Sequence, residues 1–338
     1  MSFLQVVWYF LIGLFLLVYA ILDGFDLGVG FWYLFSKRDK DRRLMRNAIG
    51  PVWDGNEVWL LTGGAAIFAA FPQVYATVFS GFYLALMLVI FALIFRAVSI
   101  EFRSRLDTPG WGNFWDTAFA IGSILPALLF GVAVGNILRG LPLDSVGNFT
   151  ASFFSLLNPY ALLIGLLGLA MFATHGALYL ALKTNGELSA KVKRWAGRAW
   201  WPYFILFIIA ALLTMITQPQ LLRNYNAVPV LWILPFLSLV VIILIGVFNR
   251  QRRARPAFTA SVLSITGLMA LCAAGLFPNM VPALGKPESS LTLANASSSP
   301  LTLWTMLVIA LVGMPLVVIY TIWVYRTFGG KVELEEGY

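Results

Sequence analysis

The chain has 338 residues, 60% of them hydrophobic, 15% aromatic and 11% charged, and a mean hydropathy of +0.85. Soluble domains carry roughly 25% charged residues, so too little polar surface remains here for a water-soluble globule, and the soluble-enzyme, nucleic-acid-binding and disordered classes are excluded. The formal charge of +8 does not point to nucleic acid, because the basic residues sort into one set of loops between apolar segments.

A bilayer core needs about 20 apolar residues per helix. Nine segments qualify, near residues 6–34, 50–71, 74–98, 114–138, 157–182, 199–217, 228–249, 257–277 and 301–325. The first starts without the basic region of a signal peptide and reads as a retained span. It carries Asp23 and Asp26 in the run Leu22-Asp23-Gly24-Phe25-Asp26, where an i,i+3 spacing puts both acids on one helix face. The second carries Asp54 and Glu57 at the same spacing, and Phe71-Pro72-Gln73 marks the turn into the third. Asp116 follows Trp115 at the start of the fourth span and reads either as an N-cap-like residue or as a second proton mouth. Glu101 and Arg105, four apart, read as a surface ion pair.

The only histidine, His175, lies in the fifth span, and the only cysteine, Cys272, in the eighth. Bis-histidine haem ligation within the chain is therefore out. His175 is left as a five-coordinate haem ligand, a proton relay or a hydrogen-bonded packing residue. Cys272 can form neither an intrachain disulfide nor a cysteine metal cluster and reads as a small buried hydrophobe. Residues 139–156 and 278–300 are expected to be external loops too short to fold as domains. The pairs Gly24/Gly28, Gly131/Gly135 and Gly63/Gly64 read as close helix contacts.

Twenty of the 23 Lys and Arg residues fall in alternate loops and the tail, with Arg96 counted in the third loop. Arg139, Arg223 and Lys286 fall in the others. The positive-inside rule then places the N-terminus outside and the C-terminus in the cytoplasm. All four acids of the first two spans lie in the cytoplasmic half, Asp26 roughly 12–15 Å in and Asp54 and Glu57 roughly 5–10 Å in, at a rise of 1.5 Å per residue. Intramembrane acids are costly and mark function by default. Two readings stand side by side: a carboxylate route that passes protons inward, and a hydrogen-bonded knot that pins the first two spans. A calcium loop is disfavoured by the ligand spacing.

Several separate motifs bear a resemblance. Leu22-Asp23-Gly24-Phe25-Asp26-Leu27-Gly28-Val29-Gly30, Trp53-Asp54-Gly55-Asn56-Glu57-Val58-Trp59-Leu60, Phe95-Arg96-Ala97-Val98, Trp115-Asp116, Gly131-Val132-Ala133-Val134-Gly135-Asn136 and Leu157-Asn158-Pro159-Tyr160 occur in this order. Together the sequence resembles the second subunit of cytochrome bd-type quinol oxidases over essentially its whole length. The resemblance implies an all-α polytopic membrane protein of nine transmembrane helices, arranged as two four-helix bundles (residues 1–140 and 141–280) plus a peripheral helix and tail (281–338). It implies a bacterial or archaeal plasma membrane and a heterodimer with a similarly folded first subunit that carries haem b, haem d and the quinol site. A small single-helix accessory subunit and a structural quinone in some members also follow from it. By motif match Asp54 is the proton-inlet residue, and Asp23 and Asp26 belong to an inner carboxylate set. Two rival functions remain open on the residues alone, a proton-coupled transporter and a pure assembly scaffold.

Overall fold

The computed structural model describes residues 1–333. The chain is almost entirely helical. In order come α1 (Phe3–Tyr33), α2 (Asp39–Ile49), α3 (Trp53–Ala70), α4 (Pro72–Gly81), α5 (Tyr83–Phe102), α6 (Pro109–Arg139), α7 (Pro159–Lys183) and α8 (Gly186–Thr217). They are followed by α9 (Arg223–Ala227), α10 (Ile233–Arg250), α11 (Ala254–Leu276) and α12 (Pro300–Thr327). Among the described residues, eight helices are long and apolar enough to cross a membrane: α1, α5, α6, α7, α8, α10 with its preceding turn, α11 and α12. The 18-residue α3 is less apolar because Asp54, Asn56 and Glu57 occupy its first two turns.

The helix starts follow local chemistry. Ser2 and Gln5 form a reciprocal capping box on α1. Asn158 and Ser299 cap α7 and α12, each with proline at the first helical position, where a missing N–H costs nothing. Between α3 and α4 a single residue, Phe71, leaves helical geometry before Pro72, which is the turn expected at that point. The third expected span is divided at Phe82 into α4 and α5.

Helices α1 and α7 form the centre. α1 packs on α3, α6, α7 and α11, while α7 also packs on α6, α8 and α11; α12 packs chiefly on the flank made by α1 and α3. Lipid gives helices no hydrophobic reason to associate, so close backbone contact must supply it. A Cβ on Gly28 would stand 1.9 Å from the Phe172 carbonyl oxygen, and one on Gly176 would stand 2.4 Å from Gly28. Gly131 and Gly135 lie as tightly against Gly165 and Ala161, whereas Gly64 faces open space.

Two large apolar cores result, beside a small third cluster of Leu138, Tyr160 and Leu221. One surrounds Phe25, Tyr33, Ile49, Leu178 and Tyr203, and the other surrounds Trp8, Phe15, Trp59, Phe71 and Leu303; Leu22 packs against both. The basic residues gather at one end of the molecule. There Lys331 reaches the carbonyls of Ala181 and Thr184, and Lys191 pairs with Asp41. The opposite end holds the N-terminus, where Gln5 bonds Ser297 at 2.7 Å. It also holds the end of α3, where the Ala70 carbonyl accepts from Ser298 N.

Four expectations change. The first basic loop contains the amphipathic α2, whose Met45 and Ile49 are buried while Asp39 and Asp41 sit at its start. The loops 139–156 and 278–300 fold onto each other: Leu141 N donates to Pro282 O and Leu284 N to Leu141 O, beside a short antiparallel pair of β1 (Asn279–Val281) and β2 (Leu291–Thr292). Glu101 and Arg105 form no ion pair among the described residues, because α5 ends at Phe102 and Arg105 has left the helical register. Arg96 does not belong to a loop; it is completely buried in α5.

A buried carboxylate–arginine cluster as candidate functional site

The first-span acids, on one face of α1 as their spacing requires, point at Arg96 of α5. Asp23, Asp26 and Arg96 are all 0% exposed. The guanidinium grips Asp23 with two bonds, Nη2 to Oδ1 at 2.6 Å and Nη1 to Oδ2 at 3.1 Å. This fork geometry is the strongest pairing a carboxylate makes. Nη1 also reaches Glu57 Oε1 at 3.1 Å, and Nη2 lies 3.9 Å from Asp26 Oδ2. Asn56 Nδ2 donates to Asp26 Oδ2 at 2.7 Å and to the Leu22 carbonyl at 3.3 Å. Its carbonyl accepts from the Tyr325 hydroxyl of α12 at 2.8 Å. One arginine, which stays charged inside proteins, therefore faces three carboxyl groups. Asp26 Oδ1 and Arg96 Nε are buried with no protein partner.

Burial is graded outward from this cluster. The Glu57 side chain is 23% exposed. Asp54, one turn earlier on α3, lies on the surface and makes no hydrogen bond to the cluster. The structure thus brings Asp23, Asp26 and Glu57 together and sets Asp54 at their outer edge.

Asp116 belongs to a second cluster at the basic end. It accepts from the Tyr33 hydroxyl at 2.6 Å, from Arg42 Nη1 at 2.6 Å and from Arg103 Nε at 3.1 Å. Arg103 continues to Asp39, which Arg43 also holds. Asp116 is no cap: α6 begins at Pro109, with Thr108 in the capping position. Its carboxylate instead ties α6 to α1, α2 and the end of α5.

A family model described as cytochrome bd terminal oxidase subunit II matches residues 4–328. The chain belongs to that family. It is 37% identical to the probable cytochrome oxidase subunit 2 of Haemophilus influenzae, over 98% of this chain and 96% of that protein. It is 36% identical to the cytochrome bd-I ubiquinol oxidase subunit 2 of Escherichia coli K12 over the same shares, and 33% identical to the cytochrome bd ubiquinol oxidase subunit 2 of Bacillus subtilis over 99% of both. The solved bd oxidase of Geobacillus thermodenitrificans contains a chain of the same fold, with a TM-score of 0.79 at 17% identity over 97% of this chain and 99% of that one.

For a subunit II family member, haem on this chain itself is tested by the one histidine. His175 Nε2 lies 2.9 Å from the Ile21 carbonyl, and Nδ1 lies 2.7 Å from Ser261 Oγ. A carbonyl only accepts, so Nε2 carries the proton and Nδ1 accepts from the serine hydroxyl. Both nitrogens are committed, and the ring stacks on Phe258. This arrangement fits a packing residue and does not fit a haem ligand. No hydrogen bond links His175 to the carboxylates. Cys272, half-buried in α11, is free.

The sequence reading missed Arg96, Asn56 and Tyr325. Arg96 carried a usable signal. It is the only charged residue between Glu57 and Glu101, and the cost of a buried charge applies to arginine as much as to aspartate. Tyr325 had none, since only the tertiary fold brings α12 to α3.

Proposed function

We propose that this chain is the haem-poor second subunit of a cytochrome bd-type quinol oxidase, a membrane-bound quinol:oxygen oxidoreductase that ends a respiratory chain by reducing oxygen to water, and that its carboxylate cluster carries protons inward from the cytoplasm. The observation behind the proton role is the burial gradient from surface Asp54 through Glu57 to Asp23 and Asp26 beside a permanently charged Arg96. Three carboxyls sharing one guanidinium give the cluster sites that can take up and release protons while the arginine charge stays in place. The unpartnered Asp26 Oδ1 is an acceptor that a proton-bearing water can use.

On this reading the nine-crossing arrangement holds, with two four-helix bundles, a peripheral α12, the N-terminus outside and the basic end in the cytoplasm. The first subunit holds the haem b and haem d groups and the quinol site. It covers the apolar face of α3 and α5, where Leu61, Phe68, Leu88, Phe91 and Phe95 are exposed, so Asp54 opens near the seam between subunits. A single-helix accessory subunit and a structural quinone complete the assembly that the family resemblance implies.

The test is Asp54→Asn in the purified two-subunit complex reconstituted in liposomes. Oxygen reduction consumes one proton per electron, so a blocked inlet slows turnover even when electrons arrive normally. The variant is expected to assemble with an unchanged haem spectrum and to lose quinol oxidase activity and proton uptake by about 10²–10⁴-fold. Full activity would leave the scaffold reading, which the pinning of α1, α3, α5 and α12 by one cluster favours.

A further inference from the structure

A groove of about 350 Å³ runs between α10 and α11 at the basic end, away from the carboxylate cluster. Its walls are Val241, Leu244 and Phe248 on one side and Pro256, Thr259 and Leu263 on the other, and Arg255 stands at its mouth. From Arg255 to Leu263 the groove extends eight residues along α11, about 12 Å at 1.5 Å per residue. Leu263 is exposed at its inner end, as are Ile243 and Val247 beside it. The groove therefore lies on an outward face of the bundle.

The mouth is strongly cationic. Arg255 lines it, and Arg250, Arg252 and Arg253 are exposed in the same turn between α10 and α11, with Arg253 over the Phe248 ring. Asn249 Nδ2 donates to the Lys193 carbonyl at 3.1 Å, so Lys193 of α8 stands beside the same end of α10. Across the same end of the molecule, Arg38, Arg42, Arg43, Arg103 and Lys191 each meet a carboxylate. None of the cations around the groove does among the described residues. An apolar channel ends at an uncompensated patch of positive charge.

We propose that this groove seats one anionic glycerophospholipid, with an acyl chain between α10 and α11 and its phosphate at Arg255, backed by Lys193. A zwitterionic lipid offers the same chain but no net charge, and free phosphate offers the charge but no chain. The seat therefore requires both parts of the ligand.

Native mass spectrometry of the delipidated two-subunit complex, titrated with phosphatidylglycerol or with phosphatidylcholine of the same chains, tests this. Phosphatidylglycerol is expected to occupy the complex at lower concentration. Arg255→Gln is expected to weaken it about fivefold, the contribution of one surface cation, and to leave phosphatidylcholine unchanged. Leu263→Trp, which fills the groove, is expected to weaken both lipids, and Arg105→Gln, an exposed cation elsewhere, is expected to weaken neither. The haem spectrum of each variant reports that it has assembled. Equal binding of the two lipids overturns the proposal, as does indifference to Arg255→Gln. Loss with Arg255→Gln but not with Leu263→Trp, together with displacement by inorganic phosphate, reduces the site to a surface anion patch and overturns it too.

Discussion

Arg96 decides the state of the carboxylate cluster. Two charges taken from water repay the desolvation cost only with good geometry, and removing one partner of a buried pair costs about 3–5 kcal/mol because the other is stranded. Arg96→Gln strands Asp23, Asp26 and Glu57 together. It is expected to lower the yield and melting temperature of the haem-containing complex, and Asp23→Asn in the same background is expected to recover part of the loss by removing a stranded charge. Arg96→Lys keeps the charge but not the fork and is expected to fall between. A melting temperature for Arg96→Gln equal to that of the parent would contradict this view. The acids of the cluster were legible in the sequence because charge inside an apolar run is rare and helical spacing sets their face. Which acid of the second pair is buried was not. Asp54 and Glu57 share a spacing and a helix, yet only Glu57 reaches the arginine, since α3 turns Asp54 outward. His175 shows the same limit. Its residue type left three roles open, and two hydrogen bonds from elements far apart in sequence tell against the haem ligand by engaging both ring nitrogens.

The spans were readable at the scale of elements because length and hydropathy are summed over twenty residues and tolerate local error. The breaks and extensions were not. α8 begins at Gly186, well before the apolar segment, since the amphipathic turn around Leu188, Val192 and Trp195 finds an apolar bed. α2 exists because its own apolar side is covered by the same core. Small-residue pairs were likewise legible as a class but not individually, since glycine in a sequence does not say whether anything faces it. Gly28 and Gly64 separate the two cases. A methyl group at Gly28 would collide with backbone of α7, which cannot swing aside as a side chain can, whereas one at Gly64 meets nothing within 4 Å. Gly28→Ala is therefore expected to reduce assembled complex and lower its melting temperature, with Gly64→Ala indistinguishable from the parent in both. Equal behaviour of the two variants would remove the α1–α7 contact from the account of assembly.

The whole molecule carries an argument about crossings that apolarity alone does not. The N-terminus lies with the loops around Pro282 and Ser297, while the last described residues lie across the end of α7 at the basic end, where Lys183 Nζ bonds the Phe328 carbonyl and Val332 N bonds the Lys183 carbonyl. A described chain that starts at one end and stops at the other requires an odd number of passages. Eight strongly apolar helices cannot supply it by themselves. On the proposed nine-crossing arrangement α3 supplies the ninth, since it leaves the α2 end at Trp53 and delivers Ala70 to Ser298 at the other. Its polar first turn is tolerable in a bilayer because Asn56 and Glu57 face Arg96 and Asp26 rather than lipid. At 31 residues, α1 is about 46 Å long against a hydrocarbon core of about 30 Å, so both of its ends emerge. The positive-inside rule then supports the proposed direction, and moving Arg96 from loop to cluster leaves nineteen cations at the basic end against three at the other. Labelling with a membrane-impermeant maleimide checks direction and parity together. In a Cys272→Ser background, Ser145→Cys and Lys40→Cys place single exposed thiols at opposite ends. Ser145→Cys is expected to react in intact cells and Lys40→Cys only after permeabilisation. The reverse pattern would invert the orientation and put the proton inlet on the outer face. Reaction of both in intact cells would mean that the segment between them, including α3, does not cross an odd number of times, and the nine-crossing architecture would fail with it.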